Sequence, residues 1–135
     1  MSVGFLLVRV GTRAYGLPLE RVVEVADLTE VLPVPRTDAS VRGLTPLRGR
    51  LVPLVHLGAL LGLRAPPPEH GRAAVLLQLA GHQVALEVDD AEEVVRVAAL
   101  PLPDGESLPW AVGVAPRGDG LVPILDLDAL GERIG

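Results

Sequence analysis

The stretch Leu-Val-Pro-Leu-Val-His-Leu-Gly-Ala-Leu at residues 51–60 decides the fold of this chain, because it returns as Leu-Val-Pro-Ile-Leu-Asp-Leu-Asp-Ala-Leu at residues 121–130. The offset is 70 residues (121 − 51). Residues that mark turns match at the same offset: Gly43 with Gly113, and Pro46 with Pro116. A bias toward Leu and Val does not reproduce matched glycines and prolines, so the sequence predicts two related halves.

Short apolar and β-branched runs, bounded mostly by Gly, Pro or Asp, recur along the whole chain. Runs of this kind are typical of strands, so the predicted class is mainly β. The predicted strands cover residues 3–10, 13–19, 22–27, 41–44, 51–55, 72–79, 82–88, 94–98, 111–114 and 121–125. Gly11 and Gly81 favour tight hairpins. Pro53 and Pro123 lack an N–H, so each of their strands should have one unpaired flank.

Each half therefore contains several strands, a strand beginning Leu-Val-Pro and a short closing helix, predicted at residues 57–63 and 126–134. This arrangement suggests two similar small barrels. A unit of about 65 residues is marginally stable alone, at roughly 25 cal/mol per Å² of apolar burial. The two units should therefore pack against each other through a shared apolar seam.

The composition excludes several classes of function. The chain has 135 residues, of which 49% are hydrophobic and 21% charged, as in an ordinary globular domain. A formal net charge of −5 gives no attraction for nucleic acid or anionic lipid, and 2% aromatic residues offer little surface for stacking bases. Cysteine is absent, which excludes disulfides and zinc–thiolate sites. We expect no cofactor and no nucleic-acid partner.

The hydropathy pattern predicts no membrane insertion. The longest apolar tract, residues 51–63, is interrupted by Pro53 and His56 and falls short of the roughly 20 residues of a spanning helix. Residues 1–10 lack the basic segment and the cleavage site of a secretory signal. We therefore expect a cytoplasmic location.

The histidines and serines form no recognisable catalytic pattern. His56 lies at the end of an apolar strand, His70 in the proline-rich connector at residues 64–71, and His82 at a hairpin turn. The serines at positions 2, 40 and 107 lack the Gly-x-Ser-x-Gly motif of a nucleophile. We predict no catalytic residue.

The acidic residues favour structural explanations over metal binding. The cluster Asp89, Asp90, Glu92 and Glu93 lacks the spacing of a calcium loop and is interpreted as a solvated turn after a buried strand. Asp126 and Asp128 stand where side chains cap a helix. One alternative remains open: a small β-barrel enzyme or metal-binding module that uses His56 with Asp89 and Asp90.

One polar stretch is a candidate for binding. Residues 41–50 read Val-Arg-Gly-Leu-Thr-Pro-Leu-Arg-Gly-Arg, which places three arginines around a turn. Arg48 lies at the predicted hairpin apex, where its guanidinium could reach a carboxylate of another protein. A solvated turn arginine explains the same residues equally well.

A set of short motifs, in their order along the chain, resembles the CheW-like family, the small adaptor domain of bacterial chemotaxis that also forms the regulatory end of the kinase CheA. The motifs are Tyr15-Gly-Leu-Pro-Leu, Arg21-Val-Val-Glu-Val, Pro33-Val-Pro, Val41-Arg-Gly-Leu, Leu47-Arg-Gly, Leu51-Val-Pro-Leu-Val, Val84-Ala-Leu-Glu-Val-Asp and Leu121-Val-Pro-Ile-Leu-Asp-Leu. Each motif is weak alone, but the ordered set is specific and covers nearly the whole chain.

The resemblance implies one domain, residues 1–135, built from two packed five-stranded SH3-like barrels. The first subdomain would comprise approximately residues 1–38 and 110–135, and the second approximately residues 39–109. It also implies a non-enzymatic adaptor that couples the cytoplasmic tip of a chemoreceptor to the regulatory domain of a CheA-type histidine kinase. Such an adaptor would work in the cytoplasm, recruited to membrane-bound receptor arrays.

The resemblance places partner contacts on six residues: Val22, Glu24, Arg42, Gly43, Arg48 and Gly49. Two departures from the family pattern accompany them. Pro46 replaces the usual Asn before Leu-Arg-Gly, and His56-Leu57-Gly58 replaces the usual Asp-Leu-Arg after the Val-Pro strand. These departures favour, as an alternative, a diverged scaffold of a type IV pilus or other chemosensory-like pathway.

Overall fold

The computed structural model describes residues 3–35, 40–63, 73–79, 81–102 and 110–134, with side chains described through Glu132. The strands in these ranges are β1 (Val3–Val10), β2 (Arg13–Pro18), β3 (Val22–Asp27), β4 (Val41–Leu47), β5 (Arg50–His56), β6 (Ala73–Leu79), β7 (His82–Val88), β8 (Asp90–Val97), β9 (Ala111–Arg117) and β10 (Gly120–Leu125). The helices are α1 (Leu57–Leu60) and α2 (Leu127–Ile134). The predicted connector at residues 64–71, with His70, and the serines at positions 2 and 107 lie outside the described residues.

The strands form two five-stranded sheets, in the orders β8-β1-β2-β10-β9 and β3-β6-β7-β5-β4. Neighbouring strands are antiparallel except for the parallel pairs β2–β10 and β5–β7. Paired backbone hydrogen bonds between Leu32 and Leu44 close the second sheet into a barrel, and Leu100 and Val114 close the first in the same way. The predicted mainly β architecture of two SH3-like barrels is confirmed. The sheet with β1 is called the first barrel and the sheet with β3 the second barrel.

Each barrel combines strands from both halves of the duplicated sequence. β3 follows the β1–β2 hairpin in the chain but pairs with β6 in the second barrel. β8 follows the β6–β7 hairpin in the chain but pairs with β1 in the first barrel. The predicted boundaries, residues 1–38 with 110–135 against residues 39–109, therefore do not follow the sheets, because β3 and β8 are exchanged. Side-chain alternation indicates which face of a strand is buried, but it does not specify the strand's neighbour.

The two barrels share one large apolar core. Leu6 and Leu17 of the first barrel pack there with Val55 and Leu86 of the second, and Leu130 of α2 belongs to the same cluster. All five side chains are at most 5% exposed. The predicted apolar seam between the two units is confirmed, and it explains how two small barrels become one stable domain.

Pro53 and Pro123, the prolines of the repeated strands, lie where one side of the strand has no neighbour that forms backbone hydrogen bonds with it. The parallel pairing of β5 with β7 begins at Leu54, immediately after Pro53. The single parallel pair of β10 with β2 is at Ile124, immediately after Pro123. The missing N–H of each proline therefore faces a gap in the hydrogen-bonding pattern, as predicted.

The main error in the strand predictions concerns the acidic cluster. β8 begins at Asp90, so Asp90, Glu92 and Glu93 belong to a strand and not to a turn. Most side chains of β8 are exposed, because it is an edge strand of the first barrel. Charged residues protect the exposed edges of sheets, and here they conceal the strand from an apolar pattern search.

The helix that closes the second repeat has the predicted cap. The Ala129 N–H donates to the Asp126 side chain at 3.1 Å, and the Asp126 N–H donates to the Trp110 carbonyl oxygen. Asp128 instead pairs with the guanidinium of Arg21 at 3.0 Å. Asp126 therefore ties the start of α2 to the strand pair before it, whereas Asp128 ties α2 to the turn after β2.

Replacing Asp126 by alanine is expected to lower the free energy of unfolding by about 1 kcal/mol, because the orphaned Ala129 N–H loses its acceptor. Urea unfolding monitored by circular dichroism measures the change. Glu132→Ala, an exposed change on the same helix, should leave the free energy of unfolding within about 0.5 kcal/mol. Equal losses in the two variants would contradict the assigned cap.

Candidate functional site

Two of the residues that the family resemblance selected meet at the edge of the second barrel. The Arg48 Nε lies 3.6 Å from the Glu24 Oε1, although the two residues belong to different strand pairs. Arg48 is 58% exposed and Glu24 35% exposed in their side chains. We call Glu24 and Arg48 the rim pair. Solvent screens the exposed Arg48 guanidinium, so the pair contributes little to stability, whereas the Glu24 Oε1 that faces it is buried.

The turn that carries Arg48 has a fixed geometry. Arg48 and Gly49 are the two central residues between the paired ends Leu47 and Arg50, and their φ angles are +54° and +75°. Two positive φ angles define the tight hairpin turn that matches the twist of its strands. Within the described residues, Arg48 is the only non-glycine residue with a positive φ. Gly49 thus positions Arg48 at the tip of the β4–β5 hairpin.

Val22 is less exposed than its assigned role requires. Its side chain is half-buried and packs against the shared core, whereas Val23 and Val25 are 37% and 46% exposed. The register of β3 against β6 shifts between Val22 and Glu24, so an extra residue, Val23, lies in a bulge. Val23 and Val25 form the exposed apolar surface of β3, which we call the β3 face. The family resemblance placed a partner contact on Val22.

Gly43 is buried and serves the barrel closure. Its φ is +145°, and a Cβ at this position would lie 2.3 Å from the Leu32 carbonyl oxygen. Only glycine lets the chain at Leu32 approach β4 closely enough for the two hydrogen bonds with Leu44. Gly113 has the same task in the first barrel, where a Cβ would lie 2.5 Å from the Leu100 carbonyl oxygen.

Arg42 belongs to a buried polar network that the sequence analysis missed. The Arg42 Nε lies 3.0 Å from the Glu87 Oε1, and the His56 Nδ1 lies 3.3 Å from the same oxygen. Glu87 is fully buried, His56 is 4% exposed in its side chain, and Arg42 is 28% exposed. The sequence contained one signal of this network, namely polar residues at inward positions of the apolar strands β5 and β7.

The network holds Glu87 in its charged form. Burial alone would raise the pKa of Glu87, but the hydrogen bond with His56 and the positive charge of Arg42 outweigh burial and hold the pKa below its usual value. His56 stands where the other repeat has the capping residue Asp126 (126 − 56 = 70), and its side chain makes no cap hydrogen bond to α1. The network therefore replaces the helix cap of the other repeat.

The structure gives no support to the alternative of a metal site. Across the part of the chain that is described, no group of three or more His, Asp or Glu side chains could hold a metal ion. His56 faces Glu87, whereas the Asp89 Oδ2 accepts a hydrogen bond from the Gly11 N–H at 2.7 Å. Asp90 is exposed on β8. The three proposed ligands thus lie apart: His56 and Asp89 serve separate structural contacts, and Asp90 faces solvent.

The fold and these contacts define a class of protein: a duplicated SH3-like double barrel in which three of the candidate residues, Glu24, Arg48 and Gly49, lie on an outer rim. Residues 4–134 match the sequence profile of the CheW-like domain, so the chain belongs to the CheW-like family. None of the helices in the described ranges has the length and apolar character needed to cross a membrane.

Named relatives agree with this membership. The chain is 28% identical to the chemotaxis protein CheW of Rhizobium meliloti, over 90% of this chain and 83% of that one. It is 30% identical to the chemotaxis protein CheW of Thermotoga maritima, over 86% of this chain and 77% of that one. The crystal structure of the scaffolding protein TtCheW from Thermoanaerobacter tengcongensis superposes with a TM-score of 0.85 at 22% identity, covering 96% of this chain and 88% of that one. The last comparison concerns the fold alone.

Proposed function

We propose that this protein is a non-enzymatic adaptor that couples the cytoplasmic tip of a chemoreceptor to the regulatory domain of a CheA-type histidine kinase. The observation that carries the proposal is the rim pair, a half-exposed ion pair held at a fixed hairpin tip beside the exposed valines Val23 and Val25. Membership of the CheW-like family and relatives named as chemotaxis proteins support it. The proposed site of action is the cytoplasm, at receptor arrays.

The proposed contact surface combines the rim pair, Gly49 and the β3 face. Val23 and Val25 offer apolar area, which supplies the free energy of association, and the charges of Glu24 and Arg48 fix orientation and register. A surface this small gives a weak single contact, which becomes strong when many copies act together in an array.

The remaining selected residues support this surface from behind. Val22 anchors β3 to the shared core, Gly43 permits barrel closure, and Arg42 is held by Glu87. In this proposal they shape the surface rather than touch the partner. Changes at these three positions should therefore alter stability together with binding, whereas changes at Arg48 should alter binding alone.

Arg48→Glu is expected to weaken binding to the receptor tip or to the kinase regulatory domain by about tenfold, because a second carboxylate would face Glu24 and reverse the charge of the rim. Isothermal titration calorimetry with both partners from the same organism measures the effect. The melting temperature should stay within a few degrees of the parent, since an exposed ion pair contributes about 1 kcal/mol or less.

Two further variants sharpen this test. Arg50→Glu makes the same change of charge two residues away, at a residue with no ion pair in the described part of the chain, and should affect binding much less. The double variant Glu24→Arg, Arg48→Glu restores the ion pair with the two charges exchanged. This double variant should not recover binding if charged groups of the partner contact Glu24 and Arg48 directly. Parent-like binding of Arg48→Glu to both partners would refute the proposed surface.

A reconstituted phosphorylation assay distinguishes the adaptor from a diverged scaffold. An adaptor should raise kinase activity when receptor and kinase are both present. A degenerate CheW-like domain that only scaffolds or inhibits would bind the kinase without raising its activity. One observation favours the diverged scaffold: His56 stands where the other repeat has its capping aspartate.

A further inference from the structure

The first barrel contains a cavity that the proposed adaptor function does not use. Its volume is about 470 Å³, and it is open to solvent on one side. The walls are mostly apolar and include Val3, Phe5, Leu19, Val112 and Ile124. Cavities of roughly 300–1,000 Å³ with such walls are typical of small-molecule sites.

The segment that closes the first barrel is one residue shorter than its counterpart in the second barrel. Val25 of β3 pairs with Val75, and Val94 of β8 pairs with Leu6. Val94 follows Val25 by 69 positions (94 − 25), and Val75 follows Leu6 by the same number (75 − 6). Val25 and Val94 therefore occupy equivalent positions in the two barrels. The closing residue Leu32 follows Val25 by 7 positions (32 − 25), whereas Leu100 follows Val94 by only 6 (100 − 94).

The corresponding space of the second barrel is a smaller and more polar cavity, of about 270 Å³, lined by Leu28, Thr29, Glu30, Val31 and Arg42. Leu28 and Val31 of its longer segment pack against the small core of that barrel. In the first barrel only Val95 and Val97 pack against the corresponding core, and Ala99 lines the cavity. Each barrel therefore has two branched aliphatic side chains packed against its small core, and the cavity of the first barrel keeps mostly apolar walls that suit an aliphatic group.

The polar residues of the second barrel are missing from the first. Arg42 and Glu87 correspond to Val112 and Pro18 (112 − 42 = 70, 87 − 18 = 69), and both of the latter line the cavity. An ion pair occupies the second barrel at the place where the first barrel exposes apolar walls. The same fold thus carries a smaller, polar cavity in one copy and a larger, apolar cavity in the other.

One positive charge lies at the cavity. A Cβ on Gly4 would lie 3.3 Å from the Arg96 Nη1, so the guanidinium itself, and not only its aliphatic stem, borders the cavity at Gly4. Among the described residues no carboxylate lies within 4.0 Å of Arg96. Glu20 also lines the cavity but does not reach Arg96.

We propose that this cavity binds a small aliphatic carboxylic acid, with its hydrocarbon chain against the apolar walls and its carboxylate on Arg96. The apolar walls determine the aliphatic body, and the guanidinium of Arg96, which faces no carboxylate among the described residues, determines the charge of the head group. Glu20 opposes the same carboxylate. The site is independent of the rim pair, which belongs to the second barrel.

Titration of octanoate into the full chain, followed by calorimetry and by backbone amide NMR, tests the proposal. We expect a dissociation constant below about 1 mM, with amide shifts confined to residues around Val3, Leu19 and Val112. Octylamine, which has the same chain and the opposite charge, should bind at least about fivefold more weakly.

Two charge variants should move the affinity in opposite directions. Arg96→Gln is expected to weaken octanoate binding about fivefold, and Glu20→Gln to strengthen it about twofold, because the first removes the attraction and the second removes a repulsion. Both side chains are exposed, so the fold should tolerate either change.

A steric variant tests the location. Val112 is 58% exposed and lines the cavity, so Val112→Trp should block octanoate without unfolding the domain. Leu121→Trp makes a comparable change at a 52% exposed position that does not line the cavity, and it should bind octanoate like the parent.

The outcomes separate this proposal from the proposed function. No shifts with octanoate up to about 5 mM, or equal binding of octanoate and octylamine, would overturn the carboxylic-acid site. Loss of receptor or kinase binding in Val112→Trp, without octanoate binding to the parent, would also overturn it and would assign the cavity to a protein partner. Neither result depends on Arg48→Glu, which tests the adaptor surface.

Discussion

Replacing Gly43 by alanine is expected to lower the free energy of unfolding by about 3 kcal/mol or more, the largest loss that any single methyl group should cause in this chain. The new Cβ would lie 2.3 Å from the Leu32 carbonyl oxygen, and the φ of +145° is strained for any residue except glycine. The contact is with backbone, so no side-chain rotation relieves it. The two hydrogen bonds that close the second barrel must lengthen or break.

Substitutions at two other glycines measure separately the steric and the backbone contributions to this loss of unfolding free energy. Gly113 has no strained φ, but a Cβ there would lie 2.5 Å from the Leu100 carbonyl oxygen, so Gly113→Ala measures the steric effect alone. Gly49 has a φ of +75° and nothing within 4 Å of its Cβ position, so Gly49→Ala measures the backbone effect alone, about 1 kcal/mol.

Urea unfolding of the three variants decides between these contributions. We expect Gly43→Ala to lose the most, Gly113→Ala an intermediate amount and Gly49→Ala the least. Gly43→Ala should also expose the Leu32 and Leu44 amides to hydrogen exchange, because these amides form the closing hydrogen bonds. A loss below about 1 kcal/mol for Gly43→Ala would mean that β4 and Leu32 do not approach as closely as described.

The repeated glycines show which features of this fold can be read from sequence. Gly43 and Gly113 match at an offset of 70 because the same backbone approach occurs in both barrels, and only glycine allows it. The repeated prolines are equally informative, because each lies beside a gap in the ladder. Positions that depend on backbone geometry keep their residue type in both copies, so the duplication and the barrel fold were predictable.

The exchange of β3 and β8 was not predictable for a physical reason. Their residue patterns give the buried face of each strand, and that face is the same whichever hairpin provides the partner. The exchange depends on the path of the chain after each hairpin, which the pattern does not encode. The bulge at Val23 depends on the pairing of β3 with β6 and so was not foreseen either, and the family resemblance assigned the contact to Val22.

The candidate site was predictable only in part. Glu24 and Arg48 were selected from separate motifs, and the structure brings their side chains within 3.6 Å of each other. Glu87 was overlooked because a single acid in an apolar strand has no visible partner in the sequence. Its partners His56 and Arg42 are 31 and 45 positions away (87 − 56 and 87 − 42), on two other strands.

Glu87→Gln is expected to destabilise the protein by about 3 kcal/mol at neutral pH, because it removes the negative charge that compensates Arg42 inside the second barrel. Glutamine has nearly the same shape as glutamate, so packing changes little. The loss of stability therefore measures the electrostatic contribution of the carboxylate. Glu93→Gln is the matched control: Glu93 also pairs with an arginine, Arg117, at 2.7 Å, but its side chain is 48% exposed. Its loss should stay below about 1 kcal/mol.

The pH dependence of this loss provides the decisive check. The pKa of Glu87 is lowered in the folded state, so its contribution to stability is fully present above the unfolded-state pKa of a glutamate, about 4.3, and is lost as the pH falls through the lower folded-state pKa. The gap in unfolding free energy between the parent and Glu87→Gln should therefore be largest near neutral pH and shrink below about pH 4. Urea unfolding at several pH values measures both curves, and a gap that stays constant or widens in acid would show that Glu87 is not held as the charged partner of Arg42.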